Sequence, residues 1–263
     1  MDHGIVEQIE VRLESLERLH GVAIPLAIES GSRAWGFPSP DSDYDCRFIY
    51  VPKVDDALGL FLRRDVIETE LTPVFDINGW ELRKAVKLMM KGNAVVIEWL
   101  NSPFRYRSND EFHSALLELS QLLFDRGLIA NHYRRVMESK REEHFGDPSR
   151  VPLKKVLYAV RSALAIRYLR FNHTQNSLPM RLQDLCAGAN LTPLLQHEID
   201  ALIAAKVGSA ELGIGRLAPA FQVLMSDEAD AATSMVSKPG SLSPAVKSEA
   251  ERRYLAILRK FSP

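Results

Sequence analysis

The 263-residue chain has only two cysteines, Cys46 and Cys186, far apart and without CxxC spacing. That excludes a disulfide framework and a cysteine zinc site, and both are expected as reduced, packed thiols. No apolar run comes near the roughly 18 residues that a membrane-spanning helix needs. The opening stretch MDHGIVEQIEVRLESLERLH alternates charges with aliphatics, unlike the basic-then-apolar order of a leader, so a cytoplasmic protein with no membrane partner is expected. Excess charge of one sign is missing too. The 33 Lys and Arg face 34 Asp and Glu, for a net charge of −1, which excludes a chain-wide attraction to nucleic acid. What is present is the balance of a folded globular chain, 46% hydrophobic and 25% charged, at a length that points to two compact units or one large one.

The near-zero charge is unevenly spread. Residues 1–100 carry 11 Lys and Arg against 17 Asp and Glu, residues 101–170 carry 13 against 8, and the remainder carries 9 of each. A basic centre facing an acidic first segment can hold a polyanion whose charge is bridged by metal.

Hydrophobic periodicity divides the chain in the same way. Ile5, Ile9, Leu13, Leu16 and Leu19 recur at helical spacing up to Gly21. VAIPLAIESGS reads as a strand entering a tight turn at Ser30-Gly31-Ser32, and YDCRFIYV reads as a second strand after the loop FPSPDS. VIETELTPVFDI is a third extended piece, followed by a helix in which Leu82, Val86 and Met89 form one stripe. This predicts an α+β unit over residues 1–107 and a helical unit over 108–263. The latter has helices near 110–125, 127–144, 151–171, 193–207, 211–226 and 244–261, with a loop over 234–244.

The chemistry-bearing segment is Glu29-Ser30-Gly31-Ser32-Arg33, a short spacer, then Asp43-Tyr44-Asp45 at the head of an apolar strand. A Gly-Ser turn after a strand presents backbone N–H groups and a hydroxyl to phosphate oxygens, and Arg33 would add charge there. On a strand, Asp43 and Asp45 at i and i+2 point the same way, as a divalent-metal clamp requires. A calcium loop through Asp41, Asp43 and Asp45 is excluded, because Cys46 and Pro52 occupy the positions that need glycine and glutamate. Asp76, ending the strand Val74-Phe75-Asp76-Ile77 just before a helix, is the best candidate for a third carboxylate, ahead of Glu68 and Glu70. Lys154, Tyr158 and Arg161 share one helix face at i, i+4 and i+7 and could close over a triphosphate.

Gly31-Ser32, the spacer and Asp43-Tyr44-Asp45 resemble the nucleotidyltransferase signature of the DNA polymerase β superfamily. More narrowly, ESGSRAWGFPSPDSDYDCRFIYV with FDINGWELRKAVKLMMKGNAVVIEWLNSPFRY resembles the predicted nucleotidyltransferases of the RNA repair pathway DNA polymerase β family. The resemblance is firm over about residues 25–107 and looser over PLKKVLYAVRSALAIRYL. It implies a polymerase-β-like domain with a small mixed sheet, followed by a helical bundle domain. It further implies Mg²⁺ or Mn²⁺ held by Asp43, Asp45 and Asp76, a nucleoside triphosphate such as ATP as substrate, and phosphates held by Gly31 and Ser32 with help from Arg33. Lys154, Tyr158 and Arg161 match, by resemblance, the basic and aromatic groups that the helical domain lends to the nucleotide.

The expected activity is transfer of a nucleoside monophosphate to an acceptor hydroxyl with release of pyrophosphate. An RNA or DNA 3′ end is the first choice of acceptor. Alternatives are a small-molecule or protein hydroxyl and a non-catalytic nucleotide sensor. A glycosyltransferase using an Asp-x-Asp motif fits the upstream Gly-Ser turn and the helical second half poorly.

Overall fold

The computed structural model describes residues 2–61, 63–208, 212–235 and 242–263. The first helix, α1 (His3–His20), buries Ile9, Leu13 and Leu16 on the predicted stripe. The Asp2 carboxylate caps it by accepting from the Gly4 N–H at 2.8 Å, and Gly21 ends it at φ 63°. Then follow β1 (Ala23–Glu29), α2 (Gly31–Trp35), β2 (Tyr44–Val51), α3 (Val54–Leu58), β3 (Val66–Glu68), β4 (Phe75–Glu81), α4 (Leu82–Met90), α5 (Ala94–Leu100), β5 (Arg105–Ser108) and α6 (Asp110–Leu122).

The five strands form one mixed sheet in the order β3-β4-β2-β1-β5. β2 and β4 run parallel and every other neighbouring pair is antiparallel. Two strands more than expected are present. The extended piece after residue 65 folds back on itself as β3 and β4, and the four-residue β5 adds an edge beside β1.

β4 also corrects the expected place of Asp76. The strand does not end at Ile77 but runs through Asn78-Gly79-Trp80 to Glu81, so Asp76 is its second residue and no helix starts beside it. The reason is tertiary: Asn78 pairs with Arg47, Gly79 with Phe48 and Trp80 with Ile49 along β2, and this ladder overrides the turn tendency of Asn-Gly.

Each face of the sheet carries helices. α1 covers one face over Ile24, Ala27, Cys46, Phe48, Phe75 and Ile77. On the other, Leu26, Ile28, Ile49 and Val51 pack with α4, α5 and α6. Each fully buried side chain of this size contributes about 1.5–3 kcal/mol of transfer free energy.

The remaining elements are α7 (Arg126–His144), β6 (Val151–Pro152), α8 (Leu153–Phe171), α9 (Leu182–Gly188), α10 (Pro193–Val207), β7 (Ile214–Gly215), α11 (Pro219–Met235) and α12 (Pro244–Phe261). α8 is the axis of the second core, burying Val156, Leu157, Val160 and Leu164 against the surrounding helices. The helix expected from residue 211 begins at Pro219, because residues 214–215 instead pair with β6. Of the loop expected over 234–244, residues 236–241 lie outside the described residues, as does residue 211.

The expected division at residue 107 is not a packing boundary. α6 and α12 both join the sheet's second core, with the Phe112 and Phe261 rings edge to face at 5.1 Å and the Val54 N–H donating to Ser262 Oγ at 3.0 Å. Cys46 and Cys186 are buried and unpaired with each other. Among the described residues, no helix is long and apolar enough to cross a membrane.

Candidate active site

The parallel pairing of β2 and β4 decides the geometry. It sets Asp45 directly beside Asp76, so two carboxylates from residues 31 positions apart become neighbours at the same end of the sheet. β1, antiparallel to β2, ends at that same place: the Ser30 N–H donates to the Asp45 carbonyl at 2.8 Å, and the chain turns into α2 at Gly31. Gly31 sits at φ 62°, and a Cβ there would overlap the Asp45 carboxylate. Only glycine allows both the left-handed backbone and the close approach. Asp43 stands one residue ahead of β2.

Arg47 lies between the two paired aspartates. Its Nη2 donates to Asp45 Oδ1 at 3.1 Å and to Asp76 Oδ2 at 2.6 Å, while Nη1 donates to the Cys46 and Asp76 carbonyls at 3.1 and 2.8 Å. The other Asp76 oxygen accepts from Asn78 Nδ2 at 3.1 Å. Among the described residues, no group of three or more His, Cys, Asp or Glu side chains is gathered as a ready metal cage.

Behind this wall, Glu29 is fully buried. One carboxylate oxygen accepts from the Asp45 N–H at 3.2 Å and the other from the Tyr106 hydroxyl. Burial, outweighing both hydrogen bonds, pushes its carboxyl up to about 7. Asp45 is also held above the ordinary carboxylate range, first by burial and then by Asp43 and Asp76, against the pull of Arg47.

In front of the carboxylates opens a cleft of about 780 Å³ between the sheet and the helical half. Gly31, Ser32, Asp43 and Asp45 line one wall. Lys154, Lys155 and Tyr158 of α8 and Lys206 of α10 line the other. Tyr158 packs edge-on against Trp35 at 5.3 Å; burial and the charges of Asp45 and Asp43 push its phenol up to about 12. Lys206 is buried and donates to Ser39 Oγ. That hydroxyl is 3.0 Å from Ser42 Oγ, which in turn accepts from the Ser32 hydroxyl at 3.0 Å. The serine of the Gly-Ser turn is therefore tied through two other serines to the helical half.

Most of the site residues expected from sequence meet at this cleft. Gly31, Ser32, Asp43, Asp45, Lys154 and Tyr158 line it, and Asp76 joins through its pairing with Asp45. Two lie elsewhere. Arg33 is turned to the spacer loop, donating to the Ser42 and Asp43 carbonyls at 2.6 and 3.0 Å and stacking over Tyr44. Arg161 shares the face of Lys154 and Tyr158 but lies deeper, beneath the Trp35 ring. It pairs with Glu98 at 2.9 Å and donates to the Met180 carbonyl. Helical spacing reports direction, and depth is set by what packs on top.

The sequence gives no role to Arg47, Glu29, Lys155 or Lys206. Arg47 follows the same i, i+2 alternation as Asp43 and Asp45 and was open to that reasoning. Nothing local marks Lys206, which arrives from 167 positions beyond Ser39.

A mixed sheet that aligns acidic side chains behind a Gly-Ser turn, facing a helical half, has the architecture of polymerase-β-like nucleotidyltransferases. The chain matches the RNA repair pathway DNA polymerase beta family over residues 5–253, and it belongs to that family. A relative in Bacillus subtilis (strain 168), described as the uncharacterized protein YcgL, is 36% identical over 208 residues, covering 79% of each chain.

Proposed function

We propose that the cleft transfers a nucleoside monophosphate from a nucleoside triphosphate to the 3′ hydroxyl of a nucleic acid, as a step of RNA repair. The observation that carries this reading is the register of β2 and β4, which sets Asp45 beside Asp76 at the Gly31-Ser32 turn, across one cleft from Lys154, Lys155 and Lys206. The family's name supports the reaction class and the repair role.

The donor set fits Mg²⁺ or Mn²⁺. It is made of hard carboxylate oxygens that already hold one cation, the Arg47 guanidinium, and the absence of a side chain at Gly31 keeps Asp45 clear. Asp43, Asp45 and Asp76 would hold the ion, which supplies charge neutralisation at the reacting phosphate.

The chain's own groups do the rest by positioning and electrostatics. Ser32 and the Gly31 backbone hold the β- and γ-phosphates, and the lysines of α8 and α10 balance their charge. Asp76 orients the acceptor hydroxyl and takes its proton. The acceptor oxygen forms its bond to the α-phosphorus as the bond to pyrophosphate breaks.

The test is transfer of α-phosphate-labelled ATP, CTP, GTP and UTP, with Mg²⁺ or Mn²⁺, to RNA and DNA oligonucleotides, with Asp45→Asn as control. Label on oligonucleotide only with the natural chain is expected, falling steeply with salt as phosphate contacts release counterions. Label on protein or on a small acceptor alone overturns the nucleic-acid assignment and leaves the transfer chemistry. No label on any acceptor overturns the reading.

A further inference from the structure

Two carboxylates placed side by side on adjacent parallel strands repel each other, and the chain carries its own answer in Arg47. The two ends of its guanidinium are used differently. Nη1 is anchored on main chain, at the Cys46 and Asp76 carbonyls, whereas Nη2 alone bridges the side chains, at 3.1 Å from Asp45 Oδ1 and 2.6 Å from Asp76 Oδ2. The oxygens left over have neighbours of their own. The second Asp76 oxygen is held by Asn78, and the second Asp45 oxygen faces the Gly31 backbone. The oxygens that face each other across the strand boundary are the ones Nη2 occupies. Arg47 also lines the cleft.

We infer that Arg47 is a built-in counter-ion that occupies the facing oxygens of Asp45 and Asp76 and must give them up to a divalent cation, remaining anchored through Nη1. This rests on the metal-dependent reading above and adds a positioning role to it: Arg47 keeps the carboxylates paired before loading and lowers the apparent affinity for the ion. The physical reason is competition. A guanidinium and a divalent ion both seek the same hard oxygens, and loading with Arg47 in place must displace a charge-assisted hydrogen-bond pair.

The experiment is titration of the 263-residue chain with Mn²⁺, following free Mn²⁺ by electron paramagnetic resonance, alongside melting in EDTA and in Mn²⁺. Arg47→Gln keeps a side chain of similar reach without the charge. It is expected to bind Mn²⁺ about tenfold more tightly than the natural chain, the scale of one partly buried charge pair. It is also expected to melt lower in EDTA and to gain more from added Mn²⁺. Arg47→Lys, which keeps the charge and loses the fork, is expected between the two. It carries the comparison if circular dichroism shows that Arg47→Gln does not fold.

Asp45→Asn is expected to abolish the Mn²⁺ signal. Equal or weaker Mn²⁺ binding in the Arg47 variants, with binding still lost in Asp45→Asn, overturns the counter-ion role and leaves the metal reading standing. No Mn²⁺ binding by the natural chain or the Arg47 variants overturns both.

Discussion

The two walls of the cleft are built by different physics. On the sheet side, Asp45 and Asp76 are placed by main chain: each sits on a strand, and the β2–β4 ladder fixes their separation before any side chain is considered. On the helical side, Lys154 and Lys155 reach from the first turn of α8 and Lys206 from the end of α10, long flexible side chains whose heads are set by rotamer and by local partners. The acidic wall is therefore rigid and intolerant of change. The basic wall is adaptable, and each lysine matters less on its own. The serine chain from Lys206 to Ser32 is a place where the walls are joined by hydrogen bonds through side chains of both.

The sharpest way to break this contrast is at the rigid wall. On the proposed reading, Asp45→Asn is expected to reduce nucleotidyl transfer by about 10³-fold or more, because it removes a carboxylate that would hold the divalent ion. The fold should be unharmed. Asp45 is held above its ordinary range by burial and by Asp43 and Asp76, so its negative charge opposes folding at neutral pH. Single-turnover transfer and thermal melting, measured on one preparation, check both halves; activity lost together with stability would show that the wall is structural only.

Arg161 tests the other wall from behind. It lies on the face of α8 that carries Lys154 and Tyr158, yet it is buried with Glu98, which also accepts from the Tyr133 hydroxyl. Arg161→Ala leaves that carboxylate without its cation and is expected to destabilise the fold by about 3 kcal/mol or more. The affinity of the folded fraction for nucleotide should change little. Urea unfolding together with nucleotide titration separates the two, and a large loss of affinity at unchanged stability would return Arg161 to the binding surface.

How far the sequence led follows the same division. The i, i+2 spacing of Asp43 and Asp45 and the Gly-Ser turn are local patterns, legible in the sequence, and the structure brings these residues to one cleft. Asp76 is a candidate third carboxylate by sequence, where it reads as the end of a strand, and the structure makes it the second residue of β4. Its true position depends on β4 pairing with β2, a contact between segments about 30 residues apart that no local propensity encodes. β5 is only four residues long, too short for a periodic signal. Lys206 and the depth of Arg161 are products of helix packing, and the spacing within one helix cannot report what neighbours cover it.

Glu29 gives the rigid wall a pH dependence of a definite sign. With its carboxyl raised to about 7 in the folded state, it keeps a proton that the unfolded chain has already released above its ordinary value of 4.5. The folded state therefore binds more protons between those values, and stability falls as pH rises through that window. Each tenfold difference in proton affinity between the folded and unfolded chains is worth about 1.4 kcal/mol, so the loss across the whole window is on the order of 3–4 kcal/mol. Glu29→Gln, which keeps the hydrogen-bonding shape without the titration, is expected to flatten the profile. Melting from pH 5 to pH 8 reads the difference, and equal slopes in the two chains would show that the Glu29 titration does not control it.

The adaptable wall should yield the smallest effect. Lys154 is exposed at the start of α8, and its charge acts on Asp41 and Asp45 across the cleft. Lys154→Ala is expected to raise the KM for nucleoside triphosphate about tenfold, the worth of one charge-assisted contact to phosphate. With no buried partner lost, stability should stay within about 0.5 kcal/mol. Because Lys155 and Lys206 face the same space, part of the charge remains and the loss should stop well short of that in Asp45→Asn. A double variant with Lys155→Ala then sharpens the comparison. Losses that multiply would mean that each lysine meets its own phosphate oxygen. A double variant no worse than the single would mean that the two heads share one oxygen, as a flexible wall permits and a ladder of main-chain hydrogen bonds does not.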